Sequence, residues 1–154
     1  MVSKYHDIIQ KRIVHFGENH RKVKRVKTSG HPLHINHPTK NLSLIYNPDV
    51  HFQLKNRKII VFEIADRQSN EKTIADIIRS FLTPNVSQVY FVVPTEEKRK
   101  EITIMYDVIL SKLADDFGTK KSKLPLDANV IVISKEDVLD IDKLDALLKE
   151  YITL

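Results

Sequence analysis

Two carboxylates stand out in the stretch YNPDVHFQLKNRKIIVFEIADR, residues 46–67: Asp49 and Glu63. Asn56 lies midway, seven residues from each. It supplies the chemistry of a tight turn within LKNRK. A hairpin reversing there sets the two acids across from one another on neighbouring strands. Strand side chains alternate, so Val61, Glu63 and Ala65 face one way and Phe62 and Ile64 the other. Two carboxylates side by side repel unless a cation lies between them. Magnesium or manganese suits such all-oxygen ligation, with water completing the octahedron. Glu63 sits within KIIVFEIA, where an unpaired buried charge would cost several kcal/mol, and this argues for a partner. The plainer alternative is a glutamate exposed at a sheet edge and a Pro-Asp turn start.

The elements that must position this pair follow from periodicity. SKYHDIIQKRIVHF has Ile8, Ile9, Ile13 and Phe16 at helical spacing, with Ser3 as N-cap and Gly17 as the stop. HRKVKRVKTSGHP gives a poorly alternating strand. SGHPLHINHPTKN, with its glycine and prolines, reads as a loop. LSLIYNPDVHFQL and KNRKIIVFEIA form the hairpin, the second strand apolar enough to be covered on both faces. SNEKTIADIIRSFL is a helix capped by Ser69 or Asn70, with Ile74, Ile77, Ile78 and Leu82 on one face, and Pro84 ends it. VSQVYFVVP is a buried strand, and TEEKRKEITIMYDVILSKLADDF a long helix whose first-turn acids suit its dipole. Gly118 stops that helix, GTKKSKLPLD links it to a strand at NVIVIS, and IDKLDALLKEYI closes the chain as a helix. The expected order is α-β-β-β-α-β-α-β-α in a single domain over residues 1–154. It predicts an α/β sandwich with a mixed central sheet and right-handed crossovers. None of the three glycines, at 17, 30 and 118, sits in a strand-to-helix turn. A nucleotide-binding glycine loop is therefore not expected.

Charge is unevenly spread. Residues 1–62 carry 12 Lys/Arg against 3 Asp/Glu, whereas residues 63–154 carry 13 against 17. A basic half suggests a polyanion-binding face, centred on Arg21, Lys22, Lys24, Arg25 and Lys27. The alternative for RKVKRVK is a solvated edge strand whose cations discourage aggregation. The absence of cysteine excludes disulfides, thiolate zinc sites and cysteine nucleophiles, and fits a reducing cytoplasm. No apolar run reaches membrane-span length, and MVSKYHDIIQKR lacks a signal-peptide core. A cytoplasmic protein without membrane association is expected. His31, His34 and His37 recur every three residues, but a tetrahedral zinc site needs a fourth ligand that the segment does not offer.

Asp49 in NPDVHF and Glu63 in IIVFEIA, with the helix and VYFVVP strand that follow, resemble the restriction-endonuclease-like PD-(D/E)xK nuclease superfamily. The likeness covers most of the chain. It implies a restriction-endonuclease-like α/β sandwich acting as a magnesium- or manganese-dependent phosphodiesterase on DNA. Asp49 and Glu63 would be the metal ligands, joined by the backbone carbonyl after Glu63. In the family pattern a lysine stands two residues past the acid, and this chain has Ala65 there. Arg67 shares the parity of Glu63 if the strand continues, but its very high pKa makes it a poor proton acceptor. Lys72, in the first turn of the next helix, could reach back. The other reading is a catalytically inactive DNA-binding or assembly module on the same fold. The resemblance also implies an accessory acid near the first helix, where His6, Asp7 and Glu18 stand; Glu18, beside the basic segment, is the candidate. A homodimer would suit cleavage of two strands, although no segment of the sequence marks an interface.

Overall fold

A computed structural model of the chain describes residues 3–120 and 124–154. Its elements in chain order are α1 (Lys4–Glu18), β1 (Val23–Thr28), β2 (Leu33–Asn36), β3 (Ser43–Tyr46), β4 (Val50–Leu54), β5 (Ile59–Ile64), α2 (Asn70–Leu82), β6 (Val86–Val93), α3 (Glu96–Asp116), β7 (Asp127–Val132) and α4 (Ile141–Tyr151). A 3-10 turn at Asp137–Leu139 precedes α4. No helix among the described residues is long and apolar enough to cross a membrane.

Five strands form a mixed sheet in the order β1-β4-β5-β6-β7. The β1–β4 and β4–β5 pairs are antiparallel, and β5, β6 and β7 are parallel. β5 is therefore central, as its unbroken apolar run requires. One face of the sheet packs Phe52, Ile60, Phe62, Tyr90 and Val92 against Tyr5, Ile9 and Ile13 of α1 and Leu144 and Leu148 of α4. The other packs Val61, Ala65, Val89 and Phe91 with Ile77 of α2 and Ile102 and Leu110 of α3. Helices thus cover both faces, the arrangement parallel strands demand.

The hairpin turns where expected. The pairs Val50 with Phe62, His51 with Val61 and Phe52 with Ile60 are all symmetric about Asn56. The Asn56 Oδ1 accepts the Lys58 N–H, and Arg57 takes the left-handed conformation at φ 73°. Extending this register by one residue sets Asp49 opposite Glu63.

Several expectations are corrected. The stretch read as one strand from Leu42 to Leu54 breaks at Asn47-Pro48-Asp49, because proline removes a ladder donor. Its first part, β3, pairs instead with β2, which lies inside the segment read as a loop. These two strands form a separate hairpin laid over the α2 side of the sheet through Leu33 and Tyr46. On α2 the buried residues are Thr73, Asp76, Ile77 and Ser80, while Ile74, Ile78 and Leu82 are exposed. Most of the apolar row expected to face the core therefore faces out.

Gly17 does not end α1, which runs to Glu18 with Asn19 as C-cap. A Cβ on Gly17 would meet the Phe52 ring at 2.5 Å and Val26 at 2.7 Å. The glycine lets α1 lie close against β1 and β4. Gly17→Ala should lower unfolding free energy by about 1–3 kcal/mol through overpacking, against the gain in helix propensity. Urea melts of the two proteins measure this, and an alanine variant as stable as the parent would remove the packing role.

Candidate active site

Glu63 is the centre of the candidate site. It projects from the middle strand beneath α2 and is 1% exposed. Burying a carboxylate there requires partners, and the surrounding elements supply them. Tyr46, from β3, donates its hydroxyl to Glu63 Oε1 at 3.0 Å and accepts from Ser80 Oγ at 3.1 Å. Lys72 holds its Nζ 3.8 Å from Glu63 Oε2 and 3.0 Å from Asp76 Oδ2. Arg79 lies 3.7 Å from the other oxygen of Asp76. Lys72, Asp76 and Ser80 are one helical turn apart, so this row of α2 lies over the acid. Ser69 starts the helix by accepting the Lys72 N–H, and Lys98 of α3 ties down the preceding loop by donating to the Gln68 carbonyl at 3.2 Å.

Asp49 stands at the adjacent end of β4. Its Oδ2 accepts the Ile64 N–H at 2.7 Å, which fixes it beside the end of β5. Its Oδ1 is 3.0 Å from His6 Nε2, and its carbonyl accepts from Gln10 Nε2 at 2.9 Å. α1 therefore grips the Pro48-Asp49 break from one side while β5 holds it from the other.

The electrostatics are those of a cluster short of positive charge. Burial, then Asp76 and Asp49, push the Glu63 carboxyl well above its ordinary range, and Lys72 and the Tyr46 hydroxyl only partly offset this. Burial also raises Asp76, opposed by Lys72, Arg79 and a hydrogen bond from Glu63. Of this pair, Glu63 retains the proton. Burial works against the charge on Lys72, but Glu63 and Asp76 outweigh it and raise its pKa. The bond to Asp49 raises His6 against its partial burial. His51, on the Glu63 side of β4, is neutral: burial, with Lys27 and His31 nearby, lowers it to about 4.

The structure brings together three of the sequence candidates, Asp49, Glu63 and Lys72. It adds His6, Tyr46, Asp76 and Ser80, which the sequence reading did not assign to the site. The signal for Asp76 and Ser80 was present in α2 as polar residues one turn apart. Two candidates lie elsewhere. Glu18 ends α1, twelve residues and about 18 Å of helix beyond His6, and is exposed. Arg67 is also exposed, because β5 stops at Ile64 before strand parity can carry it to Glu63. It lines a shallow groove with Lys4, Tyr5 and Lys135. Ala65 is fully buried in the apolar cluster of Val61, Ile77 and Phe91. The nearby cation comes from the helix instead.

The basic segment forms edge strand β1. Arg25 and Lys27 pair with Gln53 and His51, and so project to the Glu63 side of the sheet. Arg21 and Lys22 sit at the opposite end, beside the β4–β5 turn with Lys55. Lys22 is about 17 Å along the strand from Lys27. Lys24 lies at the irregularity in the β1 register. His37 accepts the N–H groups of Thr39 and Lys40 and shapes its own turn. Among the described residues, no three His, Cys, Asp or Glu side chains converge as a ready-made metal cage. Comparison with family models, with curated proteins and with solved structures returned no match.

Lys72→Met tests the electrostatic reading, since it removes the ammonium and keeps most of the stem. A carboxyl with a raised folded pKa binds more protons folded than unfolded, so its stability contribution falls as pH rises above the ordinary carboxylate range. Loss of Lys72 should sharpen that fall. The variant should be less stable by about 1–2 kcal/mol at pH 8, a figure already discounted for a half-exposed lysine, and by less at pH 5, where Glu63 no longer needs the ammonium and only the pair with Asp76 is lost. Urea midpoints at the two pH values measure it. A loss independent of pH would contradict the pairing of Lys72 with these acids.

Proposed function

We propose that the protein is a metal-dependent phosphodiesterase of the PD-(D/E)xK type acting on DNA. The observation that carries this reading is the convergence of Asp49 and Glu63 at one end of the central strand, with Lys72 of the next helix beside them. The helix lysine stands in for the cation that Ala65 cannot provide.

The donors suit a hard divalent cation. Magnesium is commonly held by one or two carboxylates, with water and substrate phosphate supplying the rest, and needs no all-protein cage. The Ile64 N–H and His6 each engage one oxygen of Asp49, and a carboxylate oxygen has a second lone pair. The raised Glu63 pKa also supports the assignment, because the buried acids are undercompensated by protein cations. Asp49 and Glu63 would hold magnesium or manganese, which when bound supplies Lewis-acid polarisation of the phosphate and a more acidic water. Lys72 would offer its charge to the phosphate, and Asp76 acts as a positioning residue that keeps the ammonium over Glu63. Arg25 and Lys27, on the same side of the sheet, would bind backbone phosphates without reading sequence.

A second reading is a DNA-binding module without catalysis. It is favoured by the partners the acids already have: the Tyr46 hydroxyl and Lys72 on Glu63, and His6 on Asp49. Linear, supercoiled and branched DNA incubated with and without magnesium or manganese separates the two. The nuclease reading predicts cation-dependent cleavage, reduced about 100-fold or more in Asp49→Ala, Glu63→Gln and Lys72→Met, with DNA binding largely retained. Cleavage that survives Asp49→Ala and Glu63→Gln would sink the site assignment. Salt-dependent binding with no cleavage under any cation would leave the binding module as the function.

A further inference from the structure

One edge of the sheet carries charge on both sides of the acids. Thr28 of β1 pairs with Val50 of β4, Val50 with Phe62 of β5, Ile64 with Val92 of β6, and Val93 with Val132 of β7. The strand ends therefore line up, and at about 4.8 Å per strand β1 and β7 each stand about 10 Å from β5. Asp49 and Glu63 occupy the middle of this edge, beside Lys72. Lys27, next to the end of β1, marks one flank. The other flank holds the groove of about 270 Å³ that Arg67 lines. Lys4 of α1 and Lys135, three residues past β7, share its walls, and Asp66 is the one acid among its lining residues.

Asp66 sets the charge of this groove. Its side chain is only 7% exposed, and its buried Oδ1 receives no hydrogen bond among the described residues. Lys135 Nζ stands 3.4 Å from that oxygen, near enough for charge pairing. The buried acid thus draws the Lys135 ammonium to the groove, and the ammonium has three N–H donors to offer. Lys4 and Arg67 are exposed and form no ion pair among the described residues. Three cations against one acid leave the groove positive.

We infer that this groove holds a backbone phosphate of the DNA strand, on the β7 side of the acids. The inference rests on the nuclease reading for its substrate. Charge calls for an anion, and position selects which one. Cations flank Asp49 and Glu63 on both sides of one sheet edge, so a single polyanion laid along that edge meets all of them. An isolated small anion would fill the groove but would not use the alignment with Lys27. A duplex carries a phosphate about every 3.4 Å of axis on each strand, so an offset of about 10 Å reaches about three phosphates from the bond to be cleaved. The guanidinium fork of Arg67 matches phosphate geometry. Arg67 is then a positioning residue that grips the strand away from the reacting atoms, and Lys72 remains the cation at the acids.

Fluorescence anisotropy of labelled linear and branched duplexes over a salt series tests this on the intact chain, once in EDTA and once with calcium. Lys4→Ala and Arg67→Ala should each lower the slope of log affinity against log salt by about one, and the double variant by about two. Both side chains are exposed and unpaired, so the circular dichroism spectrum should not change. Lys149→Ala, on the last turn of α4, should leave the slope as it is. A double variant with the parent's slope overturns the inference, as does a parent that binds DNA in neither buffer. An equal fall in Lys149→Ala overturns the placement in this groove. The expected slopes without cleavage under magnesium or manganese would support the groove as a phosphate site and remove the nuclease reading alone.

Discussion

A carboxylate in the middle of a five-stranded sheet is the constraint around which this protein is arranged. Glu63 points inward from the central strand, where its charge would cost several kcal/mol without partners. Its neighbours on the same face of β5, Val61 and Ala65, are apolar and cannot help. Compensation has to come from outside the sheet, and two elements bring it. α2 presents Lys72, Asp76 and Ser80 on its inner side, and the small β2–β3 hairpin delivers the Tyr46 hydroxyl. The hairpin's attachment through Tyr46 and α2's polar inner row are two consequences of one buried acid. The compensation is incomplete, since Lys72 is shared with Asp76 and the Glu63 pKa remains raised. A site tuned only for stability would gain by replacing this group with an apolar residue of similar size.

Proline 48 explains how the second acid reaches the first. A continuous strand from β3 into β4 would have carried Tyr46 and Asp49 along one ladder. The break at Asn47-Pro48-Asp49 releases β3 to pair with β2, and leaves Asp49 as a flanking residue whose side chain is free to bond the Ile64 N–H. His6 and Gln10 of α1 then fix its position from the opposite face of the sheet. Asp49 is therefore held by elements from both layers, and α1 contributes to the site through a histidine and a glutamine.

The parts legible in the sequence were those set by local chemistry. The turn at Asn56 and the alternation along β5 determine the Asp49–Glu63 apposition, and both can be read from consecutive residues. Caps at Ser3 and Ser69 are likewise local, and each accepts a first-turn backbone N–H. The β2 strand was hidden because HPLHINHP is rich in breakers, and only its distant partner β3 makes it a strand. Gly17 reads as a helix stop by propensity, yet its role comes from Phe52 and Val26, which are remote in sequence. Arg67 depended on β5 continuing, and a strand end is a tertiary outcome. Glu18 was favoured for its nearness to basic residues in sequence, whereas a helix of fifteen residues separates its ends by about 20 Å.

α2 shows why a hydrophobic pattern alone can point the wrong way. It carries two rows, one of Ile74, Ile78 and Leu82 and one of Lys72, Asp76 and Ser80, and periodicity favours burying the first. The sheet beneath reverses the choice. Glu63 leaves a polar deficit at that spot, and covering it with isoleucine would strand the acid, a larger cost than leaving three aliphatic side chains partly wet. At about 25 cal/mol per Å², the exposed part of those three side chains forgoes only a few kcal/mol. An uncompensated buried carboxylate would cost a similar amount or more, and its tyrosine and lysine partners would be lost as well. The inward polar row and the outward apolar row are thus one decision.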